Sequence, residues 1–153
     1  EEDVEVLIDL KTNAYIDSEY IGVQSQRIEM YKRIASIRDG RDADDIADEL
    51  ADRYGELPPP VRNLVSIAHI KALAKDAALS SITEKNGHIV FRPGAGKRIS
   101  VEAVGKLAAK YKRRIMFNAG ANPCLTYRLP EGDRAKMLDY IKIVLQDIKS
   151  FEV

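Results

Sequence analysis

The chain has 153 residues with 24 basic and 24 acidic side chains, a formal net charge of zero, and 45% apolar and 31% charged residues. That composition describes an ordinary globular domain, long enough to bury roughly 68–70% of its unfolded surface. It excludes a helical membrane span, because no run of about 18 apolar residues occurs, and a disulfide scaffold, because Cys124 is the only cysteine and fits a reducing compartment.

The chain opens on Glu1-Glu2-Asp3 rather than Met, with no signal-peptide pattern, so a piece of a longer protein is expected. Val4, Val6, Ile8 and Leu10 alternate with other residues and predict a strand with one mostly apolar face. Thr12 to Gly22 has no period but carries Tyr15, Ile16, Tyr20 and Ile21. So many apolar groups predict an extended arm lying on a core. Residues 1–22 are accordingly read as a strand and arm leading into one α+β domain over residues 23–153.

Gln24 to Arg38 reads as a helix with a wide apolar arc through Ile28, Met30, Tyr31, Ile34, Ala35 and Ile37. Asp39-Gly40 breaks it, and a second helix runs from Asp42 to Gly55. Ala43, Ile46, Ala47, Leu50 and Tyr54 form its apolar stripe. Asp45, Asp48, Glu49 and Asp52 fall on the other side, within i+3/i+4 reach of one another, where like charges repel. Asp42 is expected to cap this helix, and Gly55 to take the positive φ at its end. Pro58-Pro59-Pro60 then leads a third helix to about Ala78, with Val61, Leu64, Val65, Ala68 and Ala72 as its stripe.

The character changes near Ser80. Ile82–Glu84 and His88–Arg92 flank Asn86-Gly87, the preferred type I′ hairpin pair. Ser100 is placed to cap a helix over Val101–Tyr111. Short strands are predicted over Arg114–Phe117 and Cys124–Leu129, and a last helix from Pro130 to Ser150 carries the stripe Met137, Leu138, Ile141, Leu145 and Ile148. The fold class is therefore α+β: a helical first half, then a small antiparallel sheet with packed helices in the order ββ-α-ββ-α.

Charge is segregated along the chain. Arg38 to Leu57 holds eight acids and three bases, whereas Arg92 to Arg114 holds eight bases and one acid. Such separation suits the steering of partners, although two solvated faces that balance each other would look the same.

Catalytic and cofactor motifs are missing. Gly94-Ala95-Gly96-Lys97 lacks the earlier glycine of a phosphate-binding loop, since position 91 is Phe, and Arg98 stands where Ser or Thr would hold Mg²⁺. His69, His88 and Cys124 are too few and too scattered for a tetrahedral metal site. The clustered acids share one environment, whereas paired catalytic carboxylates need two. No cofactor and no catalysis are expected of this chain. Lys106, Lys110, Lys112, Arg113 and Arg114, with Tyr111 and Phe117 nearby, form an alternative site for phosphate backbones and stacked bases. Their plainer role is a helix end whose cations suit its dipole.

Two stretches depart from the generic: Arg27-Ile-Glu-Met-Tyr-Lys-Arg-Ile-Ala-Ser-Ile-Arg, and Glu49-Leu-Ala-Asp-Arg-Tyr-Gly-Glu-Leu-Pro-Pro-Pro-Val. They resemble the C-terminal domain of the bacterial transcription-repair coupling factor (Mfd) family. That family shows R-x-x-x-Y-[KR]-R-[IL]-A, then an acidic helix ending E-L-x-D-R-[FY]-G-x-[LM]-P, then a proline-led helix. Ala14-Tyr-Ile-Asp-Ser-Glu-Tyr-Ile is similar to the family's lead-in, with Asp17 in place of its usual Pro. The match is strong from Leu10 to Leu73; beyond it only the element order agrees.

The resemblance implies a non-catalytic regulatory domain of a bacterial cytoplasmic protein whose ATP- and Mg-dependent DNA-translocating motor lies elsewhere. It implies docking on the UvrB-like N-terminal module of the same protein, which masks the surface that UvrA binds. RNA polymerase and DNA would be met through other domains. The isolated domain is expected to be monomeric, with no membrane partner. By motif match the contact residues are Glu49, Asp52 and Arg53; helical geometry adds Asp45 and Asp48.

Overall fold

The computed structural model describes residues 5–152, so the predicted strand residue Val4 lies outside the described residues. The chain divides into two compact units. Residues 12–72 form one, and the described residues 5–11 with 73–152 form the other.

The first unit is helical. After the arm come α1 (Gln24–Ala35), α2 (Gly40–Tyr54) and α3 (Pro59–Asp76), whose last turn belongs to the second unit. α1 stops three residues short of the predicted Arg38, with Ser36 at its C-cap. Ile37 is nonetheless buried beyond the helix end. The cap of α2 is Asp39 rather than Asp42: its carboxylate accepts the Asp42 N–H at 2.9 Å. Asp42 lies in the first turn and instead accepts the Arg38 N–H at 3.0 Å and meets the Arg38 guanidinium. The tight turn needs that second carboxylate to take up an N–H that α1 has released.

The core of this unit joins Ile16 and Ile21 of the arm to Met30 and Ile34 of α1, to Ala43, Ile46 and Leu50 of α2, and to Val61 and Val65 of α3. The arm is pinned by polar bonds as well as by burial. The Ile16 N–H donates to the Tyr31 hydroxyl at 2.7 Å, the Arg27 guanidinium to the Ile21 carbonyl at 2.6 Å, and the Asn63 amide to the Asn13 carbonyl at 2.9 Å. A segment without secondary structure is thereby given partners for its backbone.

The second unit holds a five-stranded sheet in the order β1-β2-β3-β5-β4, with β1 (Leu7–Asp9), β2 (Leu79–Lys85), β3 (His88–Pro93), β4 (Ile115–Asn118) and β5 (Cys124–Arg128). Four strands form the expected antiparallel ladder. β1 joins its edge in parallel, Ile8 opposite Ile82, which makes the sheet mixed. Three residues of alternation could not announce that pairing, because a parallel partner is set by distant chain. Asn86 and Gly87 both have positive φ, 53° and 77°, as a type I′ turn requires.

One face of the sheet buries Ile82, Ile89, Phe91, Ile115, Leu125 and Tyr127. The helices α4 (Val101–Tyr111) and α5 (Met137–Phe151) contribute Ala103 and Leu107, and Met137, Ile141, Val144, Leu145 and Ile148. The Ser100 hydroxyl caps α4, accepting from Ala103 N–H at 3.1 Å. α5 starts later than predicted, because Gly132 takes φ +80° and a 3₁₀ turn over Arg134–Lys136 intervenes. Among the described residues no helix is long and apolar enough to cross a membrane.

Candidate functional site

The stripe that buries Ala43, Ile46 and Leu50 turns the opposite side of α2 outward. Asp45, Asp48 and Asp52 are exposed there, and none of their side chains makes an ion pair or hydrogen bond among the described residues. Glu49 is different. Arg33 of α1 grips its carboxylate with both terminal nitrogens, Nη2 reaching Oε1 at 2.8 Å and Nη1 reaching Oε2. Arg53, one turn further along α2, adds Nη1 to Oε2 at 3.2 Å. Its guanidinium also lies 5.0 Å from the centre of the Tyr54 ring, a cation–π distance.

The hydrogen bonds from Arg33 hold the Glu49 carboxyl at about 2, far below an ordinary glutamate. Desolvation opposes them, and Arg53 adds to them. The five residues singled out from the sequence thus fall into two groups. The side chains of Asp45, Asp48 and Asp52 stand exposed without a bond among the described residues, while Glu49 and Arg53 already share an internal network. The sequence reading missed Arg33. Its signal was the second arginine of Arg27-Ile-Glu-Met-Tyr-Lys-Arg, where both arginines hold groups outside their own helix.

The C-terminal end of α2 is held as firmly as its face. The Tyr20 hydroxyl lies 2.8 Å from the Gly55 carbonyl and 3.2 Å from the Leu50 carbonyl, and its ring packs at 5.8 Å on Tyr54. Gly55 takes φ +91°. The arm therefore braces the helix that bears the acids.

The basic stretch of the second unit is partly occupied. Asp147 of α5 accepts from Lys110 at 2.6 Å and from the Tyr111 hydroxyl. Burial, then Asp147, pushes the Tyr111 phenol well above the ordinary tyrosine range. The Tyr111 ring stands edge-on to Tyr127 at 5.8 Å, and Arg114 donates to the Arg128 carbonyl. Lys106, Lys112 and Arg113 stay exposed. The Tyr111 ring is thus half-buried and engaged by Lys110 and Tyr127 within its own unit.

The His88 ring bonds the Asn86 carbonyl at 3.1 Å, and Cys124 is a free, half-buried thiol at the start of β5. No group of three or more His, Cys, Asp or Glu among the described residues could hold a metal ion.

An arm-braced helical unit with a charged helix face, linked to a helix-covered mixed sheet, defines the class: an α+β domain with an acidic helix face. The chain belongs to the TRCF domain family, whose pattern matches residues 10–104. It is similar to the transcription-repair-coupling factor of Mycobacterium bovis, 36% identical over 83 residues, covering 54% of this chain and 7% of that protein. The corresponding protein of Bacillus subtilis is 29% identical over 116 residues, covering 74% and 10%. That of Staphylococcus aureus is 30% identical over 115 residues, covering 75% and 9%. The chain thus spans a tenth or less of the length of these relatives. A crystal structure of the C-terminal domain of a transcription-repair coupling factor shares the fold with a TM-score of 0.84 at 19% identity, covering 98% of this chain and 96% of that one.

Proposed function

We propose that this chain is the regulatory C-terminal domain of a transcription-repair coupling factor, acting in transcription-coupled nucleotide excision repair in the bacterial cytoplasm. It docks through the outer face of α2 onto the UvrB-like N-terminal module of the same protein. While docked it masks the surface that UvrA binds, and release during action on stalled RNA polymerase exposes that surface. The domain performs no chemistry of its own; ATP is used by motor domains elsewhere in the parent protein.

The observation that carries this reading is the state of Asp45, Asp48 and Asp52. These three exposed carboxylates stand on one helix with no side-chain partner among the described residues, in a chain whose family match covers that helix. Like charges at i+3 and i+4 cost helix stability, and a cationic partner relieves that cost. Exposed charge pairs set on-rate and specificity more than raw affinity, which suits a contact that must open.

The test is titration of this domain against the UvrB-like module at low and moderate salt, with Asp52→Lys beside the wild type. Binding that weakens with salt and is lost in the variant supports the clamp. Equal binding by both proteins rules out the α2 face as the contact.

A further inference from the structure

We infer that Arg33 of α1 is a contact residue of this docking face, and that the partner presents a carboxylate to it beside the cations that meet Asp45, Asp48 and Asp52. The inference rests on the docking function proposed above and adds the partner's chemistry at one point of the face.

The argument is an account of donors and acceptors. A guanidinium has five N–H donors, and an ionised carboxylate has about four lone-pair sites. Glu49 accepts from Arg33 Nη1 and Nη2 and from Arg53 Nη1, so three of its sites are taken. Arg33 spends two N–H groups and Arg53 one among the described residues. What is left on the cluster is mostly donor capacity. Two guanidinium groups surround that one carboxylate, and Glu29, one turn back on α1, is a further acid near Arg33.

The site is also reachable. The Arg33, Arg53 and Glu49 side chains keep 38%, 40% and 36% of their exposure. Both cations are pre-oriented, Arg33 by its two-pronged grip on Glu49 and Arg53 by the Tyr54 ring. A pre-oriented guanidinium loses little freedom on binding, and its planar fork matches a carboxylate. Glu49, by contrast, has little left to offer a partner cation. It acts as a positioning residue that holds the two arginines side by side.

The face is therefore read in both signs: the Arg33–Glu49–Arg53 cluster lies on the flank of α2 toward α1, and Asp45, Asp48 and Asp52 lie beside it. A uniformly basic partner would leave the spare N–H groups of that flank without an acceptor. A partner with an acid set among its bases would satisfy every group, and such a pattern discriminates between partners through repulsion as well as attraction.

The two roles open to Glu49 predict opposite signs, which makes the test direct. If Glu49 met a partner cation, Arg33→Gln would free its carboxylate and tighten docking. If Arg33 meets a partner carboxylate, the same change weakens it. The experiment is the titration against the UvrB-like module at low salt with Arg33→Gln, Arg33→Lys, Arg33→Glu and Asp52→Lys, each shown to be folded by its thermal melt. The expected result is about tenfold weaker binding for Arg33→Gln, a smaller loss for Arg33→Lys, and the largest for Arg33→Glu. Arg33→Glu should regain binding when single carboxylates on the module are changed to Arg in turn and one of them supplies the missing charge; a merely structural arginine would show no such rescue. Unchanged or tighter binding by Arg33→Gln, with Asp52→Lys still defective, overturns the inference and leaves the docking function standing. Asp52→Lys binding as well as the wild type, or no wild-type binding, overturns both.

Discussion

Arg134, on the turn before α5, meets both carboxylate oxygens of Glu84 in β2, at 2.5 and 3.1 Å, and also donates to the Lys11 carbonyl beyond β1. The Lys11 N–H completes the node by donating to Glu84 at 2.8 Å. The Glu84 side chain keeps 1% of its exposure and Arg134 keeps 52%, so the carboxylate is covered but lies one layer from water. Desolvation raises the Glu84 pKa, yet Arg134 and then Lys11 outweigh it, and the group sits below its ordinary value. Arg134→Ala should cost about 2 kcal/mol in urea unfolding, because it strands a covered charge in a shallow site. Glu84→Leu should cost less, because it removes the need for a partner. An Arg134→Ala midpoint equal to wild type would show that the node contributes nothing.

Glu49 should leave a mark on the acid side of the stability curve. Its folded pKa, about 2, lies below the ordinary value of about 4.3. A depressed carboxylate contributes stability that is full above the unfolded pKa and is lost as pH falls through the window to the folded one. The side chain is more than a third exposed, so solvent screening reduces the contribution to about 1 kcal/mol. Wild type should exceed Glu49→Gln by that much at pH 7, and the gap should close near pH 2. A gap that persists at pH 2 would assign the effect to packing instead.

At Gly55 the backbone itself makes the prediction. With φ +91° and ψ −175° it occupies a region that side chains avoid, and no atom lies within 4 Å of where a Cβ would stand. The penalty of Gly55→Ala is therefore conformational alone, about 2 kcal/mol. Thermal unfolding should show a lower midpoint with near-wild-type secondary structure. An unchanged midpoint would mean that the turn relaxes at no cost.

Asp147 ties α5 to α4 through Lys110 and the Tyr111 hydroxyl. Asp147→Ala should destabilise the chain by about 2 kcal/mol, since it leaves a half-buried phenol without its acceptor. Urea denaturation at neutral pH reads this directly. A loss under about 0.5 kcal/mol would put these bonds among exposed pairs of negligible worth.

The elements most legible from sequence were those whose signals are local. The period of Ala43, Ile46 and Leu50, the Asn86-Gly87 pair and the Ser100 cap each depend on a few neighbouring residues, and each forms as read. Boundaries slipped where two signals competed. Asp39 and Asp42 are both good caps, and the choice was settled by the Arg38 N–H that Asp42 also satisfies. Long-range partners were invisible for a different reason. Nothing near Glu84 announces Arg134, and nothing near Glu49 announces Arg33, because each pair is made by the packing of separate elements. Helical geometry found the acidic face but could not divide it into carboxylates already held and carboxylates left over.

The parallel pairing of β1 with β2 has a kinetic meaning. The Lys11–Glu84 bond beside that pair joins residues 73 positions apart, with the helical unit lying between them in sequence. Closing a flexible loop of that length costs about 4 kcal/mol of chain entropy. The β2–β3 hairpin, by contrast, closes over two residues. Refolding should therefore run from local to distant: hairpin and helices form early, and β1 is captured last, once compaction of the intervening helices has drawn its end of the chain near. Substitutions at the β1 edge should then speed unfolding while leaving the refolding rate almost untouched.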